Sequence, residues 1–167
     1  MYEYYYLMDY YPESINNVTE GQAKDRETVQ AFMTGELSGE LITRIAAKAS
    51  CIVEEKSIDV VCFAPGTTGA KTILRFGELA GALSDSLSCD VFLDGVTLKF
   101  DSDPITHMRF YQCNADRING KNVLLVGGVY TTGQSLQEVG DLLMKNGAQN
   151  VFGLFIAKTI LANAQHQ

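Results

Sequence analysis

The sequence predicts an α/β fold, a central mostly parallel sheet flanked by helices in a single domain. Three observations lead there. Two strand–loop–helix units, over residues 58–87 and 122–147, repeat in the order that builds parallel strands joined by crossover helices. Their strands, Ile58 to Ala64 and Val123 to Val126, are compact apolar runs of the kind covered on both faces. The 167 residues, 46% apolar and 20% charged, suit one domain with a sizeable core.

Residues 1–19 are tyrosine-rich and end in a Pro/Asn/Ser segment, which reads as an edge strand and a loop over the core. Glu20 to Phe32 reads as a helix, interrupted by Gly35 and Gly39. Leu41, Ile42, Ile45, Ala46, Ala49 and Ile52 recur at close to 3.6 residues and define a second helix. After the strand at Ile58 to Ala64, ended by Pro65-Gly66, a helix over Lys71 to Leu87 places Ile73, Phe76, Leu79, Ala80, Leu83 and Leu87 on one face. Val91 to Phe100 reads as a strand or a hairpin broken at Asp94-Gly95. Asp101 to Gly120 has little periodicity and is the candidate mobile loop. The strand at Val123 to Val126 then enters a turn from Gly127 to Ser135. Helix Gln134 to Asn146 follows, with Leu136, Val139, Gly140 and Leu143 inward and Gly147 as its stop. Val151 to Ile160 is the last strand, followed by a polar tail expected to fray.

Composition excludes several classes of function. A net charge of -7 with no basic stripe argues against nucleic-acid binding. Cys51, Cys62, Cys89 and Cys113 are widely spaced and form no C-x-x-C pair, so reduced thiols fit better than a metal or disulfide framework. The start of the chain lacks a basic, apolar leader and no run approaches membrane-spanning length, which points to the cytoplasm and away from membranes. The sequon at Asn17-Val18-Thr19 is therefore read as chance.

Two small-residue turns carry the chemistry, and both follow the carboxyl ends of strands, where ligands of parallel sheets sit. In Thr131-Thr132-Gly133-Gln134-Ser135 three hydroxyls and a glycine stand at the start of a helix, whose free N–H groups and positive dipole end suit a phosphate. Gly127 and Gly128 precede them and allow close approach of a ligand to the backbone. The second turn, Ala64-Pro65-Gly66-Thr67-Thr68-Gly69, lets N–H groups converge on another anion, or is a plain loop. Lys71 and Arg75 lie one helical turn apart beyond it; Lys71 belongs either to this site or to a solvated helix face. Gly127-Gly128 followed by Gly133 does not make G-x-G-x-x-G, and a Walker lysine is absent.

The run Val123-Leu124-Leu125-Val126, two further positions, Val129-Tyr130 and Thr131-Thr132-Gly133-Gln134-Ser135 resembles the signature of type I phosphoribosyltransferases. Arg75-Phe76 is similar to an element of the competence-protein (ComF-like) branch. The resemblance covers roughly residues 58–160. It implies that residues 131–135 wrap the 5-phosphate of phosphoribosyl pyrophosphate (PRPP) and that Pro65, Gly66 and Thr67 form a pyrophosphate loop. Arg109, within the loop 101–120 that also holds His107 and Arg117, becomes the candidate catalytic cation of a closing lid, or is a surface arginine. It also implies Mg²⁺ with PRPP and, within one domain, an N-terminal hood with helices over 1–57 and a core over 58–167; a homodimer is expected from the aromatic N-terminus, since aromatic residues are enriched in interfaces. The tyrosines at positions 2, 4, 5, 6, 10 and 11 either form that hood or meet a partner subunit.

The departure from the family is at Gly127 and Gly128, which stand where it carries adjacent acids. Those acids accept hydrogen bonds from the ribose hydroxyls and help to place Mg²⁺. Hydrogen bonds to charged groups contribute about 1.5–3 kcal/mol each, so losing two removes about 10²–10⁴-fold in binding. Thr131 replaces the aspartate of purine-salvage members, which argues against a 6-oxopurine acceptor. The expected function is therefore transfer of ribose 5-phosphate from PRPP to a nitrogen nucleophile, weakened or lost. The competing expectation is a non-catalytic module that binds PRPP or a nucleotide as a sensor or regulatory partner.

Overall fold

A run of four small or aromatic apolar residues with no polar alternation needs cover on both faces and neighbours on both edges. The computed structural model, which describes residues 1–106 and 108–161, meets that need. Every residue of β2 (Val60–Phe63) is buried. β6 (Asn122–Tyr130) pairs parallel along one edge, with Val60 opposite Val123 and Phe63 opposite Val126. β3 (Asp90–Phe92) pairs parallel along the other. Beyond β6 lie β7 (Asn150–Thr159) and then β1 (Tyr4–Tyr10), giving the order β1-β7-β6-β2-β3 with every pairing parallel.

The side-chain period of two divides the core between the faces. Val61, Phe63, Leu124 and Leu154 meet α1 (Glu20–Met33), α2 (Gly39–Lys56) and α3 (Gly69–Ser86) through Phe32, Ile45, Ile52, Phe76 and Leu79. Val60, Cys62, Val123 and Leu125 meet α5 (Gln134–Lys145) through Leu136, Val139 and Leu143. The first three helices start on side-chain caps. The Thr19, Ser38 and Thr68 hydroxyls each accept the N–H three residues on, and Gln22 completes a capping box with Thr19.

The expected N-terminal edge strand is present as β1, because Tyr4 to Tyr10 find a parallel ladder on β7, from Gly153 to Thr159. Several boundaries differ from the sequence reading for identifiable reasons. β3 and β4 (Val96–Leu98) do not pair with each other. β4 pairs antiparallel with β5 (Tyr111–Cys113) in a separate two-stranded sheet, so Asp94-Gly95 is a change of sheet and not a hairpin tip. The expected loop 101–120 therefore contains β5 and the short α4 (Ala115–Ile118), and its irregular part ends before Tyr111. On α3, Ile73 is exposed and Thr72 takes the buried place, its hydroxyl held by the Thr68 carbonyl at 3.0 Å. His107 and the tail from 162 lie outside the described residues.

Candidate functional site

The sheet order creates a crevice. From β2 the chain passes to α3 on one face and β3 on one side, whereas from β6 it passes to α5 on the opposite face and β7 on the other side. The carboxyl ends of β2 and β6 are therefore neighbours whose onward connections diverge, which is where open α/β sheets bind ligands. A cavity of about 500 Å³ opens there, lined by Pro65, Arg75, Arg109, Gly127, Gly128 and the run Thr131 to Ser135.

The strand runs further than its apolar core suggests. β6 continues through Gly127 and Gly128 to Tyr130, because β7 offers partners as far as Lys158. Both glycines thus lie within the strand, Gly127 opposite Phe155, and not in a turn. Each faces a bulky neighbour. A Cβ on Gly127 would sit 2.5 Å from the Phe155 ring, and one on Gly128 would sit 3.1 Å from the Met33 sulfur and 3.9 Å from Arg75 Cδ. Where the resemblance implies carboxylates, this chain has an aromatic ring and a methionine packed against bare backbone.

After Tyr130 the turn is short. Gly133 has φ +83°, a left-handed angle that glycine adopts without strain, and it is the N-cap of α5. It has no side chain to cap the helix, in contrast to α1, α2 and α3. The Gln134 N–H donates to the Thr132 hydroxyl at a long 3.3 Å, so the amides of the first turn face the cavity with little internal competition. Thr131 is tied differently: its hydroxyl shares a 2.7 Å hydrogen bond with Thr159 at the end of β7. Tyr130 packs over Gly133, stacks on Tyr4 at 4.1 Å and meets Phe155 edge-on at 5.3 Å. Burial first, then the neighbouring Tyr4, pushes the Tyr130 phenol up, so it stays a neutral wall.

Opposite the turn stand two guanidinium groups. Arg75 Nε is buried without a hydrogen-bond partner, and burial, followed by the charge of Arg109, pulls that guanidinium down from its ordinary value. Arg109 makes a long 3.5 Å contact from Nη1 to the Pro65 carbonyl. Among the described residues the ion pairs are Lys56–Glu3 and Arg117–Asp94, so neither Arg75 nor Arg109 is in one. The two like charges thus share the cavity, and each disfavours the charged form of the other.

The second turn is arranged differently. Pro65 lines the cavity, but the Gly66 N–H donates to the Thr72 hydroxyl at 2.8 Å, and the Thr67 carbonyl accepts from Ser102 N–H at 3.1 Å. Lys71 is exposed on α3, its N–H donating to the Thr68 hydroxyl. Gly66, Thr67 and Lys71 lie outside the cavity lining. Conversely, Met33, Thr106, Met108, Glu138 and Phe155 line it without having been singled out. A signal for Phe155 existed, since glycine inside a strand marks close approach of a neighbour. Glu138 follows Gln134 by one helical turn and accepts from its Nε2 at 2.9 Å.

No family model matches this sequence, and no curated protein sequence matches it. Solved structures do. An adenine phosphoribosyltransferase aligns over 77% of this chain and 74% of its own with a TM-score of 0.51 and 19% identity. A purine phosphoribosyltransferase from Pyrococcus horikoshii Ot3 aligns over 73% and 75%, TM-score 0.50, at 21% identity. A hypoxanthine-guanine phosphoribosyltransferase from Bacillus anthracis str. 'Ames Ancestor' aligns over 75% and 80%, TM-score 0.50, at 14% identity. The chain thus has the fold of the type I phosphoribosyltransferases, a parallel five-stranded sheet flanked by helices.

Proposed function

We propose that the chain binds PRPP, or a nucleotide bearing the same 5-phosphate, in the crevice between β2 and β6. In this reading, transfer of ribose 5-phosphate to a nitrogen nucleophile is weakened or lost. One observation carries it: an uncapped helix start faces two unpaired arginines across one cavity. The Thr131–Ser135 turn would hold the 5-phosphate through its amides and the Thr132 and Ser135 hydroxyls, with Arg75 and Arg109 on the remaining charge. A volume of about 500 Å³ suits a ligand of nucleotide size.

The contact between Gly127 and Phe155 favours the binding module over the transferase. Cleavage at the anomeric carbon builds positive charge there, and two acids placed beside it would stabilise that charge. Phe155 at that place offers an apolar face instead. Calorimetric titration with PRPP, beside an assay for pyrophosphate release across nitrogen acceptors, tests the reading. Binding without release is expected. Release at an ordinary enzymatic rate would restore the transferase reading, and absence of binding would remove both.

A further inference from the structure

Mg²⁺ accompanies PRPP in the chemistry that the resemblance implies, and the residues of this cavity do not fit the ion. Mg²⁺ takes oxygen ligands, commonly one or two carboxylates together with substrate phosphates and water. Positions 127 and 128 supply no oxygen from side chains, and carboxylates could not be added there without moving Phe155 and Met33. Glu138 is the acid among the described lining residues, and its Oε1 already accepts from Gln134. No group of three His, Cys, Asp or Glu side chains able to hold a metal occurs among the described residues.

The positive charge of the site comes from the protein instead. Arg75 runs past Gly128, its Cδ within 3.9 Å of where a Cβ would stand, so an acid at 128 would lie beside this guanidinium and neutralise it. With glycine there, the charges of both Arg75 and Arg109 are left for the ligand. Guanidinium groups bind phosphate oxygens in pairs and stay charged at any working pH.

We infer that this site takes its ligand as a free, metal-uncomplexed diphosphate or phosphate ester, with Arg75 and Arg109 supplying the positive charge that a divalent ion would otherwise bring. The inference rests on the cavity being a phosphate site. It carries a consequence opposite to that of a metal-dependent site. Mg²⁺ coordinates the same oxygens and cancels the same charge, so it competes with the arginines.

The experiment is calorimetric titration of the full chain with inorganic pyrophosphate and with PRPP, once in chelator and once in excess Mg²⁺. Binding in chelator is expected, weakened by excess Mg²⁺. Arg109→Gln, on the loop rather than in the core, should weaken binding in chelator at least about tenfold. Gly128→Asp should do the same by pairing with Arg75, with circular dichroism showing that both variants are folded. Binding that requires Mg²⁺, or that tightens in chelator with Gly128→Asp, overturns the metal-free site while leaving the phosphate reading intact. No binding of either ligand in either condition overturns the phosphate reading and this inference together.

Discussion

Phe155 decides what position 127 can be. Its ring lies 2% exposed between Gly127, Tyr130 and Tyr4, so the strand can place only glycine opposite it. Introducing an acid by Gly127→Asp, where the resemblance implies one, is therefore not a simple exchange. The new Cβ overlaps the ring at 2.5 Å, and overpacking of this kind costs about 1–3 kcal/mol. Urea unfolding should show that loss for Gly127→Asp, and the costs of Gly127→Asp and Phe155→Ala should sum to more than the cost of the double variant, because the second change removes the clash. Equal stability of Gly127→Asp and the parent chain would show that the ring moves freely and does not exclude an acid there. From the sequence, the pair of glycines was legible as a departure from the signature that the chain resembles. Its cause was not, because the residue that requires it lies 28 positions away on the neighbouring strand.

At the scale of elements, the edge strand is pinned to the helix on the rear face. Tyr2, just before β1, donates to the Asp141 carboxylate on α5 at 2.6 Å, and its ring lies where a Cβ on Gly140 would be. Burial, then the hydrogen bond to Asp141, pushes the Tyr2 phenol from its ordinary 10.0 up to about 12. The same hydrogen bond holds Asp141 below the usual carboxylate value. A raised phenol keeps its proton in the folded chain after the unfolded chain has lost it, so stability falls as pH rises from about 10 through about 12. Asp141 acts at the other end: its contribution is present above the ordinary carboxylate pKa and is lost as pH falls through the depressed one. Thermal melts across pH should show both slopes flattened in Tyr2→Phe; unchanged slopes would mean that the tie does not form. The four long helices were readable to within a few residues, since apolar period and caps fix them locally, whereas the four-residue α4 was read as loop. The pairing of β4 with β5 was not, because three-residue strands carry no period and gain their identity only from the partner.

For the whole molecule, topology and charge act together. A chain of net charge -7 repels anions at a distance, yet its switch-point cavity concentrates two unpaired guanidinium groups opposite a helix N-terminus. The two strand–loop–helix units announced the parallel sheet, and a parallel sheet announces where its crevice lies. Of the residues singled out from pattern and resemblance, the turn at 131–135, Pro65, Arg75 and Arg109 line one cavity. What did not follow was the internal use of the Gly66 amide by Thr72, a matter of local hydrogen bonding that composition cannot express. No helix among the described residues is long and apolar enough to cross a membrane.

The central claim is that a phosphate binds between the start of α5 and the two arginines. Its most direct test is a titration of isotope-labelled chain with PRPP in chelator, followed by amide and guanidinium nuclear magnetic resonance. The largest shifts are expected at the amides of Gly133, Gln134 and Ser135 and at the side-chain Nε–H groups of Arg75 and Arg109. Saturable shifts centred on any other part of the molecule, with these five groups unmoved, would contradict it.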